Sequence, residues 1–131
     1  MVEISKKLYV IDSVRTNNFN DVLIMQKIGG LWQKAYTQVP QCDTKYGVYH
    51  DYASDFRGDY TLSVATGTDN GRIKIEFSGK YQCFDVDMSV ENPLIETWKK
   101  IWSLQINRAY TFDFEKYNPD GTVQIYIAIS K

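Results

Sequence analysis

The chain comes close to repeating itself. A shift of 66 residues lays Trp32 on Trp98 and Tyr36 on Trp102; without a gap it also lays Tyr46 on Phe112, Val48 on Phe114 and Tyr49 on Glu115. Repetition constrains architecture early, because each unit must bury its apolar face against its neighbour. The predicted elements follow the same rhythm, strand, helix, strand, strand, in each half. In the first, Leu8–Thr16 is a strand rich in β-branched residues. Val22, Met25, Ile28, Leu31/Trp32, Ala35 and Val39 then recur at helical steps until Pro40 stops them. Strands are predicted over Tyr46–Tyr52 and Tyr60–Gly67. Gly29-Gly30 interrupts the helical pattern. Each glycine costs about 1 kcal/mol relative to alanine there, so a break or very close packing against the sheet is expected. Thr68-Asp69-Asn70-Gly71 is the strongest turn and lies near the midpoint.

In the second half, Arg72–Phe77 alternates, Ser78-Gly79-Lys80 interrupts, and Tyr81–Met88 resumes. Asn92-Pro93 opens a helix, with asparagine as N-cap and proline at the first helical position. Leu94, Trp98, Ile101 and Trp102 are its apolar stripe. Tyr110–Tyr117 and Val123–Ile129 are the last strands, joined by the turn Asn118-Pro119-Asp120-Gly121. The fold class is therefore α+β: duplicated βαββ units about a pseudo-twofold axis, with an antiparallel sheet and two main helices. The 131 residues suit one domain, with halves of about 1–68 and 71–131.

Alternation in Tyr110–Tyr117 sets Tyr110, Phe112 and Phe114 on one face and Asp113, Glu115 and Tyr117 on the other. Lys116 on the apolar face marks emergence into solvent. Glu115 among aromatics must find a partner or stay protonated if that face is buried, because an isolated buried charge is too costly. The duplication brings Tyr49 and Glu115 to related positions near the seam, where pockets commonly form.

Composition removes several function classes. The net charge is −1, from 15 basic and 16 acidic residues, with no basic run, so direct nucleic-acid binding lacks its electrostatic footprint. No stretch is long and apolar enough for a membrane span, and the N-terminus has no secretory pattern, so a cytoplasmic protein is expected. Cys42 and Cys83 form no metal spacing with the single His50 and are expected as reduced thiols; no metal or cofactor is predicted. His50 has only generic serines and cysteines to work with and is not read as catalytic. Tyrosine, at 10 residues, suits pocket walls as well as cores.

Gly79-Lys80-Tyr81-Gln82-Cys83-Phe84, Glu96–Trp102, Asp113-Phe114-Glu115-Lys116-Tyr117 and Ile125-Tyr126-Ile127 resemble the GyrI-like effector-binding domain of bacterial transcription activators. Gly29–Gln33 and Val48–Tyr52 are similar too, so the resemblance spans nearly the whole chain. It is nearest to stand-alone effector-binding proteins, including those on integron cassettes. The resemblance implies an effector-binding (SOUL-like) barrel. It implies binding of small molecules, often lipophilic cations, in an aromatic-lined cleft with an acidic residue that matches Glu115. Ile127-Ala128 stands where some relatives have an apolar residue and proline. Multidomain relatives carry a helix-turn-helix, for which this chain leaves no residues, so a separate DNA-binding or other protein is the expected partner. The ligand-binding candidates are Glu115, Tyr49, Trp98, Trp102, Phe84 and Trp32, with the tryptophans and Phe84 also open to core roles.

Three functions compete: a small-molecule binding module, a hydrolase using Glu115 and an aromatic such as Trp98, and a protein-interaction module like the gyrase-inhibitor relatives. Binding is the favoured reading. The chain is expected as monomer or homodimer, and an exposed sheet edge would favour the dimer.

Overall fold

The computed structural model describes residues 2–38, 44–68 and 73–130. Its element order is β1 (Val2–Thr16), α1 (Ile24–Gln38), β2 (Lys45–His50), β3 (Tyr60–Thr66), β4 (Lys74–Asp85), α2 (Pro93–Ser103), β5 (Asp113–Tyr117) and β6 (Val123–Ala128). The βαββ unit thus occurs twice. Val39, Pro40, Cys42 and the turn at 69–71, with Arg72, lie outside the described residues.

All six strands are antiparallel to their neighbours and close into a barrel in the order β1-β3-β2-β5-β6-β4. β1 pairs with β4 through its first residues and with β3 through its last, with a register shift between Val10 and Asp12. β4 does the same, passing from β1 to β6 at Tyr81. The halves therefore meet twice, at β1·β4 and at β2·β5. In the second seam Val48 lies opposite Phe114, its own partner in the repeat. Closure leaves none of the six strands with a free edge, so the edge that would favour a dimer is not present among the described strands.

Alternate residues divide the sheet's two faces. One core draws Leu8, Val10, Tyr46, Val48, Ala65, Ile75, Phe77, Tyr81, Phe114 and Ala128 from every strand and fills the barrel. The outward residues Tyr60, Leu62 and Val64 of β3 lie under Leu31 and Ala35 of α1. Val123, Ile125 and Ile127 of β6 lie under Ile101 of α2. Each helix thus covers its own half, and the cleft between the helices runs over the β2·β5 seam.

Four local expectations change. β4 runs unbroken through Ser78-Gly79-Lys80, with Gly79 at φ 151 in the run paired with β1. α1 is continuous through Gly29 and Gly30, and an added Cβ at either would meet nothing within 4 Å; neither a break nor close packing occurs. The predicted stripe starts too early: Val22 precedes α1 and is 95% exposed, and Met25 in its first turn is 81% exposed. The last change is at Asn92, which occupies the N-cap position in a left-handed conformation, without a side-chain cap. Its carbonyl accepts the Glu96 N–H instead.

Candidate functional site

β5 begins at Asp113, later than the alternation suggested, because Tyr110 takes φ 53 and turns the chain away from the sheet. From Asp113 onward the parity holds. Phe114 points into the barrel, where its ring stacks 4.6 Å from Tyr126. Asp113 and Glu115 share the other face, at 0% and 3% exposure, and Glu115 lines the cleft between the helices. The strand is covered on both faces here.

Glu115 is held by three neutral donors. The Tyr117 hydroxyl donates to Oε1 at 2.6 Å; the Trp98 indole N–H and the Tyr49 hydroxyl donate to Oε2 at 2.7 and 2.8 Å. Tyr49 and Glu115, repeat partners, thus touch across the seam. No ion pair to Glu115 occurs among the described residues. Burial pushes its pKa up, and the three hydrogen bonds from Tyr117, Trp98 and Tyr49 pull it only part of the way back. Burial also raises Tyr49 and Tyr117 well above an ordinary phenol, with the nearby Glu115 charge adding to it, so both remain protonated donors.

Room for the carboxylate comes from the facing strand. Gly47 lies opposite Glu115, and a Cβ there would come within 3.0 Å of Oε1 and 3.2 Å of the Trp32 ring. This is a glycine required by close approach rather than by backbone conformation.

Around the carboxylate opens a cavity of about 530 Å³. Trp32 and Tyr36 of α1 stand on one side, Trp98 and Trp102 of α2 on the other, and Tyr49, Tyr60, Glu115 and Tyr117 form the floor. Trp32 meets Tyr117 edge-on at 4.7 Å, and Trp98 meets Tyr49 edge-on at 5.2 Å, so each tryptophan of the repeat braces one tyrosine that binds Glu115. Phe56 stacks on Trp102 at one end. A second hollow of about 620 Å³ adjoins and shares Met25, Tyr36, Leu94, Ile95 and Tyr117 with the first.

Of the residues singled out in the sequence, Glu115, Tyr49, Trp98, Trp102 and Trp32 line this one cavity. Phe84 does not; it packs against the Val86, Ile101, Ile125 and Ile127 cluster beneath α2. Tyr117 was missed, although its parity with Glu115 was a usable signal. Gly47, Tyr52, Tyr60 and Arg108 had no signal, because strand register and loop folding bring them in.

His50 lies elsewhere. Its Nε2 is 2.7 Å from Ser63 Oγ, and its ring stacks on Phe112. Ser63 is 1% exposed and its hydroxyl also meets that of Ser13, and neither His50 nor Ser63 lines the cavity. Burial lowers the His50 pKa. No group of three or more metal-ligating side chains occurs among the described residues. No helix among the described residues is long and apolar enough to cross a membrane.

Comparison with known proteins returns relatives over nearly the whole chain. Residues 3–129 match the family model Cass2, described as integron-associated effector binding protein. The chain is 27% identical over 146 aligned residues to YobU of Bacillus subtilis (strain 168), a protein whose name carries a provisional assignment as a transcriptional regulator. That alignment takes in 91% of this chain and 89% of YobU. Among solved structures it is similar to an integron cassette protein from the mobile metagenome of Vibrio cholerae. That match has a TM-score of 0.81 and 31% identity, over 98% of this chain and 94% of the other.

Proposed function

The chain belongs to the Cass2 family of integron-associated effector binding proteins, and on that premise we propose that it binds small lipophilic cations in the cleft between α1 and α2, with Glu115 as the charge partner. The observation that carries this reading is the carboxylate itself. It is buried and receives three hydrogen bonds, yet none of its partners carries positive charge. Three hydrogen bonds to a charged acceptor contribute about 1.5–3 kcal/mol each. They hold the group in place but leave its charge uncompensated. A cation seated in the cleft supplies the missing charge, and the rings of Trp32, Trp98 and Trp102 add about 0.5–2 kcal/mol for each face it meets.

The mechanism is recognition by exclusion as well as attraction. The rings exclude water, and low dielectric strengthens the pull of Glu115 on a cation and its rejection of anions. Neutral ligands gain only apolar contact. A cation favours the ionised carboxylate, so affinity rises as pH rises through the Glu115 titration. The occupied state is then read by a partner protein, in keeping with the regulatory name carried by YobU.

The test is a thermal-shift screen of wild type and Glu115→Gln against lipophilic cations, their neutral isosteres and anions. A ligand that binds the native state raises its apparent stability. Stabilisation by cations alone, abolished in the variant, is the expected result. Stabilisation by no class moves the reading to protein partners. Consumption of an electrophilic ligand, lost in Glu115→Gln, moves it to catalysis.

A further inference from the structure

Arg108 is the charged group of the cavity that cation binding at Glu115 does not use. It sits in the segment between α2 and β5, lines the same cavity, and its side chain is 5% exposed. Nη2 donates to Asp113 Oδ2 at 2.8 Å. Nε and Nη1 are buried and find no acceptor among the described residues. Sealed donors on a charged group are costly to leave unmade. A ring covers the group: the guanidinium carbon lies over the Tyr110 ring, 4.4 Å from its centroid. That tyrosine is held at φ 53, a conformation that an aromatic residue adopts only under constraint. Its ring is partly exposed and rests edge-on against Tyr52, another residue of the cavity wall. A strained cover over unpaired donors, beside a cavity, is an arrangement that a ligand can relieve.

Charge decides which ligand. Arg108 and Asp113 neutralise each other, so this corner carries no net charge. Glu115 is two residues along the same strand face, on the order of 7 Å away. A ligand carboxylate would be the third negative group among Glu115 and Asp113. A neutral oxygen acceptor would satisfy the guanidinium without that repulsion.

We propose that the cavity is a two-point site for a cation that also carries a neutral hydrogen-bond acceptor, such as an amide or ester carbonyl. The cationic end sits at Glu115, and the carbonyl accepts from one of the two open donors of Arg108, Nε or Nη1, which lie on opposite edges of the guanidinium, once the Tyr110 ring swings aside. This rests on the reading of Glu115 as a cation partner.

Calorimetric titration with two probes tests it: a benzylamine bearing a para dimethylcarboxamide, and para-isopropylbenzylamine, which has similar shape and no acceptor. Wild type is expected to bind the carboxamide about ten-fold more tightly or better, since a hydrogen bond to a charged donor is at stake. In Arg108→Met the two probes should bind equally. That variant strands buried Asp113, so Tyr110→Gly is measured beside it. Removing the cover should strengthen carboxamide binding and leave the isopropyl probe unchanged. Equal binding of both probes to wild type, or tighter binding of the matching para-carboxylate, overturns the two-point site while the cation reading stands. If neither amine binds wild type, the cation reading itself has failed.

Discussion

Asp113 and Glu115 stand two residues apart on one face of one strand, both buried, and they are satisfied in opposite ways. Asp113 accepts from Arg108 at 2.8 Å, from the Tyr52 hydroxyl at 2.5 Å and from the Ala128 backbone N–H at 2.7 Å. It has a cation, a phenol and a main-chain amide, the complete set that a buried carboxylate needs. Glu115 has two phenols and an indole, and no cation. The first arrangement is finished by the chain itself and ties the loop before β5 to the end of β6. The second carries no charge partner from the described chain, and in the proposed function a ligand cation supplies it. Local sequence does not separate their roles, since each is an acidic residue beside Phe114, on the same strand face; the difference lies in what the fold brings opposite.

Removing one member of each set breaks the comparison most directly. Asp113→Ala leaves Arg108 buried without its anion and is expected to cost about 3–5 kcal/mol, read as a lowered urea midpoint. Gly47→Ala attacks the other carboxylate by crowding. The new methyl group meets Glu115 and Trp32, so either the carboxylate or the ring must give way. The expected cost is about 1–3 kcal/mol in stability, with weakened cation binding seen in the same preparation.

Glu115→Gln sharpens the contrast through pH. Because burial raises the Glu115 pKa in the native state, the native chain keeps a proton that the unfolded chain has already released. Native stability therefore falls as pH climbs from the ordinary carboxylate value through the raised one; below the ordinary value nothing is lost. The variant has no such dependence. Unfolding free energies of the two proteins, compared across that window, should show wild type losing ground as pH rises. With a saturating lipophilic cation the trend should reverse.

The smallest effect is a control. Gly29→Ala and Gly30→Ala, on open helix surface, should each stabilise by about 0.5–1 kcal/mol, with cation affinity unchanged. A loss of affinity in either would mean that α1 must flex for ligand entry.

The duplication, the strand order within each half and the outward parity of Glu115 were legible because they rest on periodicities of chain chemistry. Tyr49 and Glu115 could be paired before any coordinates because one offset relates them. The start of β5 was not legible. Tyr110 and Phe112 have the composition of a strand, but the corner at Arg108 overrides them through a tertiary contact that no window of sequence contains. Gly29 and Gly30 misled for the opposite reason. A glycine pair ordinarily signals a demand of the fold, and here nothing in the described surroundings makes one. Val22 falls in the turn before α1, and Met25 keeps the helical spacing without burial, since spacing says which side of a helix a residue takes and not whether the sheet reaches that far.

The hydrogen bond between Tyr49 and Glu115 bears on why the two halves share one chain. Two identical half-length chains on a true twofold must place the same residue at both positions. Two glutamates there would repel each other; two tyrosines would carry no charge. One phenol donating to one carboxylate, at the axis itself, is available only after covalent fusion lets the copies differ. Fusion thereby turns an arrangement that a symmetric pair would offer identically from both sides into one with a defined polarity.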